Sequence, residues 1–325
     1  MTDRFALLQI LADGHFHSGE VLGDRLGVTR AAIWKQLRGL ESLGLNIHAV
    51  RGRGYCLAQP IEFLQTEQIR GLLAPSVREC LPLLDVFHEI DSTNTYLKTR
   101  AAQGVASGAV CLAEWQRAGR GRQGRVWVSP FGCNLYLSLL WRFAAGPASL
   151  AGLSLAVGVA LVQALRDCVD ADFGLKWPND LLWRGRKLGG ILVEIAGESS
   201  GPSHAIIGMG LNIRMPDDAA GEIGQPWVDL YRISREQPSR NALAAAVLNR
   251  LVAAMQAFES QGLKAFLDAW RALDVTAGKA VQLHLATETV DGHAHGIDDD
   301  GALLIRVGND LRRYASGEIS LRMTS

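Results

Sequence analysis

Apolar residues return at helical spacing through the first forty positions. Arg4 to Ala12 and Ser18 to Leu26 read as short helices, and Ala32, Ile33, Leu37, Leu40 and Leu43 mark the stripe of a third over Thr29 to Leu43. Gly27-Val28 supplies a tight connection, Thr29 an N-cap and Gly44 a stop. Asn46 to Val50 and Tyr55 to Leu57 then flank Arg51-Gly52-Arg53-Gly54, which predicts a two-stranded wing with a basic tip. Helix, short turn, helix and wing in this order is the arrangement that sets a recognition helix into the major groove of DNA.

Beyond a linker that begins at Gln59-Pro60-Ile61-Glu62, the pattern alternates. A helix from Thr66 to Leu73 ends before Pro75, a strand runs from Leu83 to His88, and Ser92 or Thr93 can cap a helix through Tyr96, Leu97 and Ala101. Gly108 to Ala113 and Asn134 to Trp141 read as strands, with a helix from Ser149 to Cys168. Gly174 to Trp183 and Arg186 to Glu194 form a strand that is broken by Pro178-Asn179-Asp180 and re-enters as a hairpin. Ala205 to Ile213 is a further buried strand whose Gly208 and Gly210 would let a ligand approach its backbone, Asp217 to Glu236 is irregular, and helices follow over Asn241 to Phe258 and Leu263 to Leu273. From about 275, short strands set around Asp291-Gly292, Asp298-Asp299-Asp300-Gly301 and Asn309-Asp310 predict a small β-barrel. The class is α+β: a winged helix-turn-helix over 1–62, a central mixed-sheet α/β domain over 63–273 and the barrel over 274–325.

Composition changes this picture in one place. With 325 residues, 48% hydrophobic and 20% charged, the chain is ordinary globular material for two or three domains. Its net charge of zero hides a cluster, because Arg25, Arg30, Lys35, Arg38, Arg51 and Arg53 stand against Glu41 alone between positions 25 and 53. Such a set favours phosphate contacts, with Thr29, Arg30 and Gln36 nearest to base edges and Lys35, Arg51 and Arg53 on the backbone. A small helical domain for protein contacts is the alternative. Five cysteines without a C-x-x-C pair, and an N-terminus without an apolar leader, predict a reducing cytoplasm. The apolar run from Leu150 to Leu165 is short and broken by Gly152, Ser154, Gly158 and Gln163, so a buried helix is expected and no membrane span.

The candidate chemistry lies between two tryptophans, in Glu114-Trp115-Gln116-Arg117-Ala118-Gly119-Arg120-Gly121-Arg122-Gln123-Gly124-Arg125-Val126-Trp127. Glycine lets backbone N–H groups approach a ligand and arginine presents a planar fork to carboxylate or phosphate, so the stretch suits an anion cradle. Its G-x-G-x-x-G spacing is no dinucleotide fingerprint, since an extended segment follows in place of a helix and no acidic ribose ligand follows at the required distance. The alternative is a solvated basic loop. Downstream, Lys176, Asp180 and Lys187 share one hairpin. There Asn179 and Asp180 serve the turn, or a carboxylate holds Mg²⁺ while ammonium groups meet anionic oxygens. Trp227 either stacks on a planar ligand or anchors its loop. Nothing resembles a Ser-His-Asp triad or a zinc cluster.

Three motifs in order, Gly119-Arg-Gly-Arg-Gln-Gly-Arg125, Lys176-Trp-Pro-Asn-Asp180 and Lys187-Leu-Gly-Gly-Ile-Leu-Val-Glu194, resemble those of the biotin protein ligases. With the winged helix in front, the chain resembles the bifunctional form that is also the biotin operon repressor, and the resemblance covers nearly its whole length. It implies an SH3-like C-terminal barrel and a two-step reaction in which biotin and Mg·ATP give biotinyl-5′-adenylate, whose biotin passes to a lysine of a biotin carboxyl carrier protein. It implies biotin contacts from Ser92, Thr93, Asn94, Gln116, Gly119 and Arg120, with Gly190 allowing close packing on biotin. Arg122 resembles the residue that retains the adenylate, and Lys187 the lysine beside the biotin carboxylate and α-phosphate, which together make the catalytic pair. Lys176, Asn212, Trp227 and Arg322 resemble nucleotide-side residues, with Trp227 stacking on adenine and Asp180 on the metal side. Operator DNA and a ligand-promoted homodimer are the further partners implied. A transcription factor that only senses a small anion, or a lipoate or octanoate ligase of related fold, would share parts of this pattern.

Overall fold

The N-terminal periodicity becomes three helices, α1 (Arg4–Leu11), α2 (Gly19–Leu26) and α3 (Arg30–Glu41), followed by a hairpin of β1 (Ile47–Val50) and β2 (Gly54–Leu57). This computed structural model describes residues 4–325 apart from 200, 218–220, 222, 286–287, 316–319 and 324–325. Ser18 caps α2 by accepting from the Val21 N–H, and Thr29 caps α3 by accepting from the Ala32 N–H. Gly27, left-handed at φ 64°, closes α2 so that α3 can cross it. Leu7, Leu8, Leu11, Leu22, Ile33, Leu37 and Leu40 fill the small core between them, which Phe63 and Phe131 of the next domain complete.

The chain continues through α4 (Thr66–Leu72), α5 (Pro75–Cys80), β3 (Leu83–Phe87), α6 (Thr93–Ala102), β4 (Ala109–Ala113), β5 (Leu135–Phe143) and α7 (Leu153–Arg166). Then come β6 (Phe173–Lys176), β7 (Asp180–Trp183), β8 (Arg186–Gly197), β9 (Ser203–Leu211), α8 (Leu230–Ser234), α9 (Arg240–Gln261) and α10 (Leu267–Leu273). The strands form one sheet of seven in the order β3-β4-β5-β9-β8-β7-β6, parallel only between β3 and β4. Side chains alternate across a strand, so each strand feeds two environments. Leu135, Leu137 and Leu139 of β5 and Ala205, Ile207, Met209 and Leu211 of β9 enter the main core beneath α7 and α9. On the other face α6 lays Leu97 and Ala101 on Ala109, Cys111, Leu140 and Ile206, and leaves the rest of that face open. In α7 all residues except Ser154, Gln163 and Arg166 are buried, so its apolar length belongs to the core.

The C-terminal strands β10 (Ala280–His284), β11 (Thr289–Ile297), β12 (Leu303–Val307), β13 (Asp310–Tyr314) and β14 (Ser320–Met323) form an antiparallel sheet ordered β13-β12-β11-β10-β14. The indole N–H of the buried Trp177 donates to Gly301 O at 3.0 Å and docks this unit on the central domain. Asp291-Gly292, expected at a turn, lies inside β11: a Cβ at 292 would stand 2.5 Å from Ile305 Cγ2, so glycine is there for close strand approach. Pro75 begins a helix, occupying its first turn where no N–H is needed. The segment expected to be irregular before Glu236 contains α8, capped by Asp229 accepting from the Arg232 N–H. In the expected C-terminal motif, residues 317–319 lie outside the described residues, as do residues 1–3 at the start of the winged domain.

The supposed linker is firmly tied. Glu62 accepts from Ser239 Oγ and the Arg240 N–H at 2.6 Å each and from Asn241 Nδ2 at 2.8 Å. Arg240, wholly buried, donates from Nη1 to Glu62 O at 2.8 Å and to Glu114 Oε2 at 2.6 Å, and from Nη2 to Asn134 O at 2.7 Å. Glu114, also wholly buried, accepts the Leu64 N–H at 2.6 Å on its other oxygen. Removing one partner of a buried pair leaves an uncompensated charge. Arg240→Met is therefore expected to lower stability by about 3–5 kcal/mol, read as an earlier urea midpoint, and Glu114→Leu in the same chain should restore part of it.

Candidate functional site

The open face of the sheet is where the alternation of β5, β8 and β9 changes character. Ser138 of β5, Gly208 and Gly210 of β9, and Gly190, Leu192 and Glu194 of β8 project there, since Leu192 pairs with Gly208 and Gly208 with Ser138 across the strands. The glycines make a floor on which other groups lie directly. A Cβ at Gly208 would sit 2.2 Å from Asn94 Oδ1, and one at Gly210 would sit 2.4 Å from Trp127 Cε2. Above this floor opens a cavity of about 570 Å³.

One end of the cavity is a chain of hydroxyl and amide groups that ends on an ion pair of Glu194 and Arg120. Ser92 occupies the N-cap position of α6 but makes no cap bond, so the hydroxyls there do other work than capping. Ser138 Oγ lies 2.7 Å from Thr93 Oγ1 and 2.6 Å from Asn94 Oδ1. The Thr93 N–H donates to Gln116 Oε1 at 3.0 Å, and Asn94 Nδ2 donates to Glu194 Oε2 at 2.8 Å. Glu194 in turn holds Arg120 Nη2 at 2.9 Å. Ser92, Thr93, Asn94 and Ser138 are buried, so each hydrogen bond spared here counts strongly.

The opposite end is cationic. The β6–β7 and β7–β8 hairpins bring Lys176 Nζ to 2.8 Å from Asp180 Oδ2 and Lys187 Nζ to 2.6 Å from Asp180 Oδ1. Burial alone would raise the Asp180 pKa, but the ammonium groups of Lys187 and Lys176 outweigh it and hold the carboxyl below its ordinary value. The group therefore carries two positive charges and one negative, a net cation facing the cavity. Asp180, expected to hold a metal ion, has both oxygens committed to lysines. No group of three His, Cys, Asp or Glu suited to a metal occurs among the described residues.

The arginine and glycine loop crosses above. It is pinned at its base by the Arg117 N–H donating to Ile90 O and higher up by the Trp127 N–H donating to Gly119 O. Arg122 enters a single helical turn with Gln123 and Gly124 and donates from Nη1 to Asn179 Oδ1 at 3.2 Å. Its burial lowers its pKa, Asp180 opposes this and Arg125 adds to it, yet a guanidinium stays charged. Trp127 lies on the glycine floor with Lys187 Nζ 5.6 Å from its ring centre, and its indole N–H is buried without a hydrogen-bond partner. Trp227 is fixed beside Lys187 because the Lys187 N–H donates to Pro226 O and the Val228 N–H donates to Lys187 O. The guanidinium of Arg232 lies 4.1 Å over the Trp227 ring. Asn212 donates to Val228 O at 3.2 Å while its amide oxygen is buried and unpaired.

Of the residues expected at a ligand site, Ser92, Thr93, Asn94, Gln116, Arg120, Arg122, Lys176, Asp180, Lys187, Gly190, Asn212, Trp227 and Arg322 line this one cavity. Gly119 does not line it. A Cβ there would meet Trp127 O at 2.6 Å, so the loop passes close to its own return segment at this point. Trp127, Asn179, Ser138 and Glu194 are participants that the sequence did not single out as site residues. Gly208 and Gly210, read in the sequence as letting a ligand approach the strand backbone, line the cavity. The second expected site is apart, on the winged domain, where Thr29, Arg30, Lys35, Arg51 and Arg53 are exposed. Gln36 departs from expectation: it is half-buried and its amide oxygen is buried without a partner, because it lies beside the core stripe of α3.

Comparison with known proteins bears on both sites. Residues 86–212 match the biotin/lipoate A/B protein ligase family, residues 3–56 an HTH domain and residues 276–322 the biotin protein ligase C-terminal domain. The chain is 42% identical over 316 residues to the bifunctional ligase/repressor BirA of Escherichia coli and to that of Salmonella typhimurium, covering 97% of this chain and 96% of each relative. The solved biotin protein ligase from Aquifex aeolicus in complex with biotin and ATP superimposes with a TM-score of 0.64 at 29% identity, covering 75% of this chain and 100% of that one.

The lysine pair also sets a pH dependence. A carboxyl whose folded pKa is depressed stabilises the fold fully above its unfolded value of about 3.9, and loses that contribution as pH falls through the lower folded value. The difference in urea midpoint between the native chain and Asp180→Asn is expected to be constant above pH 5 or so and to shrink below about pH 4. An unchanged difference across that range would mean that Asp180 is not ionised.

Proposed function

The chain belongs to the biotin protein ligases, in the form that joins the ligase to a DNA-binding repressor domain, and from that premise we propose how its residues divide the work. The neutral end of the cavity takes the biotin rings. Ser92, Thr93, Asn94 and Gln116 supply hydroxyl and amide groups for a ureido ring, Gly190 and the neighbouring floor glycines let the bicycle lie flat, and Arg120 closes over it. A lipoyl or octanoyl chain has no ureido group to bond these polar side chains, which favours biotin.

The valeryl carboxylate then points to Lys187. Attack of a carboxylate oxygen on the α-phosphorus of ATP forms the acyl-phosphate bond and expels pyrophosphate. No base is needed, because the nucleophile is already ionised. The obstacle is like charge, and it is met by Lys187, Lys176 and Arg122 held in place before the substrates arrive. Trp227 stacks on adenine, Asn212 offers its unpaired amide oxygen to a nucleotide donor, and Arg322 reaches the nucleotide from the C-terminal domain. In the second step the amine of a carrier-protein lysine attacks the acyl carbon and AMP leaves. Mg²⁺ enters as part of Mg·ATP. The donor set does not fit a resident ion, since Asp180 is engaged by two lysines.

The observation that carries this reading is a single cavity lined both by the hydroxyl and amide groups of Ser92, Thr93, Asn94 and Gln116 and by two lysines on one buried carboxylate. We place the division of labour at 1–62 for operator DNA, through Thr29, Arg30, Lys35, Arg51 and Arg53, at 63–273 for ligation and at 274–325 for completing the nucleotide end. The setting is the cytoplasm, the acceptor is a biotin carboxyl carrier protein domain, and adenylate binding promotes a homodimer that spans two operator half-sites.

Purified chain with biotin, Mg²⁺ and ATP is expected to exchange pyrophosphate into ATP only when biotin is present; absence of exchange would remove the ligase assignment. Arg122→Gly is expected to release the adenylate at least tenfold faster, about 1.4 kcal/mol or more, in line with loss of a charge-assisted contact. Biotin affinity should change far less. Equal losses in stopped-flow release and in biotin titration would mean that the loop is an undivided anion cradle.

A further inference from the structure

The recognition helix α3 carries a side chain that a phosphate-binding stripe does not need. Trp34 is 53% exposed and is the only aromatic among the exposed large hydrophobic side chains of the described residues. Arg30, Trp34 and Arg38 follow one another at four-residue spacing and so share one face of the helix, with Ala31 and Lys35 exposed beside them. The adjoining stripe of Ile33, Leu37 and Leu40 is buried. The guanidinium of Arg38 lies 4.5 Å over the indole ring, which steadies it and covers part of one surface. The hydrophobic core of the winged domain forms without Trp34. Gln36, whose amide oxygen is buried, is poorly placed to read a base.

We propose that Trp34 is a base-reading residue of the winged domain and that the group it reads is the C5-methyl of thymine in the major groove. The inference rests on the DNA-binding assignment of that domain. Lys35, Arg51 and Arg53 supply the cationic surroundings that hold a duplex, but phosphate contacts carry no sequence information. An exposed indole has one N–H to offer a phosphate, but most of its surface is apolar. It gains from apolar surface, and the thymine methyl is the apolar group on the base edges of the major groove. Ala31, exposed one turn before Lys35, adds no bulk to this face and lets the helix come close.

The test uses the full chain with biotin and Mg·ATP. Duplexes are enriched from a random library by the native chain, and each thymine of the enriched site is replaced in turn by uracil, which removes only the methyl. One replacement is expected to weaken binding by the native chain about fourfold, the equivalent of roughly 0.8 kcal/mol for one buried methyl-sized group. The same replacement should leave Trp34→Ala unchanged. Trp34→Lys, which keeps affinity through charge where the alanine variant binds too weakly to titrate, should be equally blind to that methyl. Lys35→Ala with Arg51→Ala should instead lower binding to all sequences alike. Biotin transfer by each Trp34 variant should match the native rate. The proposal is overturned if the native chain is insensitive at every thymine, if the Trp34 variants keep the native sensitivity, or if Trp34→Ala loses only a protein partner while its DNA binding is intact.

Discussion

The ligand loop hangs from the buried pair of Arg240 and Glu114. Glu114 is the residue at which β4 becomes the loop, and its two oxygens are taken by Arg240 and by the Leu64 N–H. Arg240 opens α9 and closes on the carbonyls of Glu62 and Asn134 as well. The linker, the start of the loop, the start of β5 and the start of α9 thus meet at one guanidinium. A buried ion pair is weak evidence of net stability, because desolvation offsets the attraction. Its value here lies in geometry, since a planar fork with fixed donors admits only one arrangement of those four segments.

From that fixed point the sheet distributes chemistry by parity. Residues of β5 and β9 that face α7 and α9 are apolar and bury the main core, while at the site the other face carries Ser138, Gly208 and Gly210. Small side chains lower the floor enough for Trp127 and Asn94 to lie on it. The hairpins at the sheet edge then bring two ammonium groups onto Asp180, whose ionisation is maintained against burial by the same two groups. A neutral end and a cationic end of one cavity suit a ligand that is itself neutral at one end and anionic at the other.

The loop also touches the DNA-binding domain. On one side of Gln116, Trp115 packs against the small N-terminal core, and on the other Arg117 donates to Glu89 and Asp91. Glu89 accepts from Arg4 of α1 with its second oxygen, and Phe5 stacks on His88 with ring centres 4.6 Å apart. The ligase loop and the winged domain therefore share a carboxylate and an aromatic cluster, so neither is a detached module.

Much of this was legible in the chain, because helices and strands announce themselves by local period and the three motifs hold their ligands in fixed short spacings. The winged helix, the strands that bear the site and the cationic loop all follow from residues within about fifteen positions of one another. The sequence did not disclose what depends on register and on the choice of face. Ser138 and Glu194 read as strand positions, and they become part of the site only because the strand order β5-β9-β8 sets them on the face that Asn94 covers. Asp180 read as a turn residue or a metal ligand, and only the folding of two hairpins places a lysine on each of its oxygens. Gln36 read as a base contact until the rotation of α3 turned its amide oxygen inward and left Trp34 outside. Local pattern fixes which element forms, whereas a side chain's partner lies tens to hundreds of residues away and is settled only when the packing of whole elements decides which way each face turns.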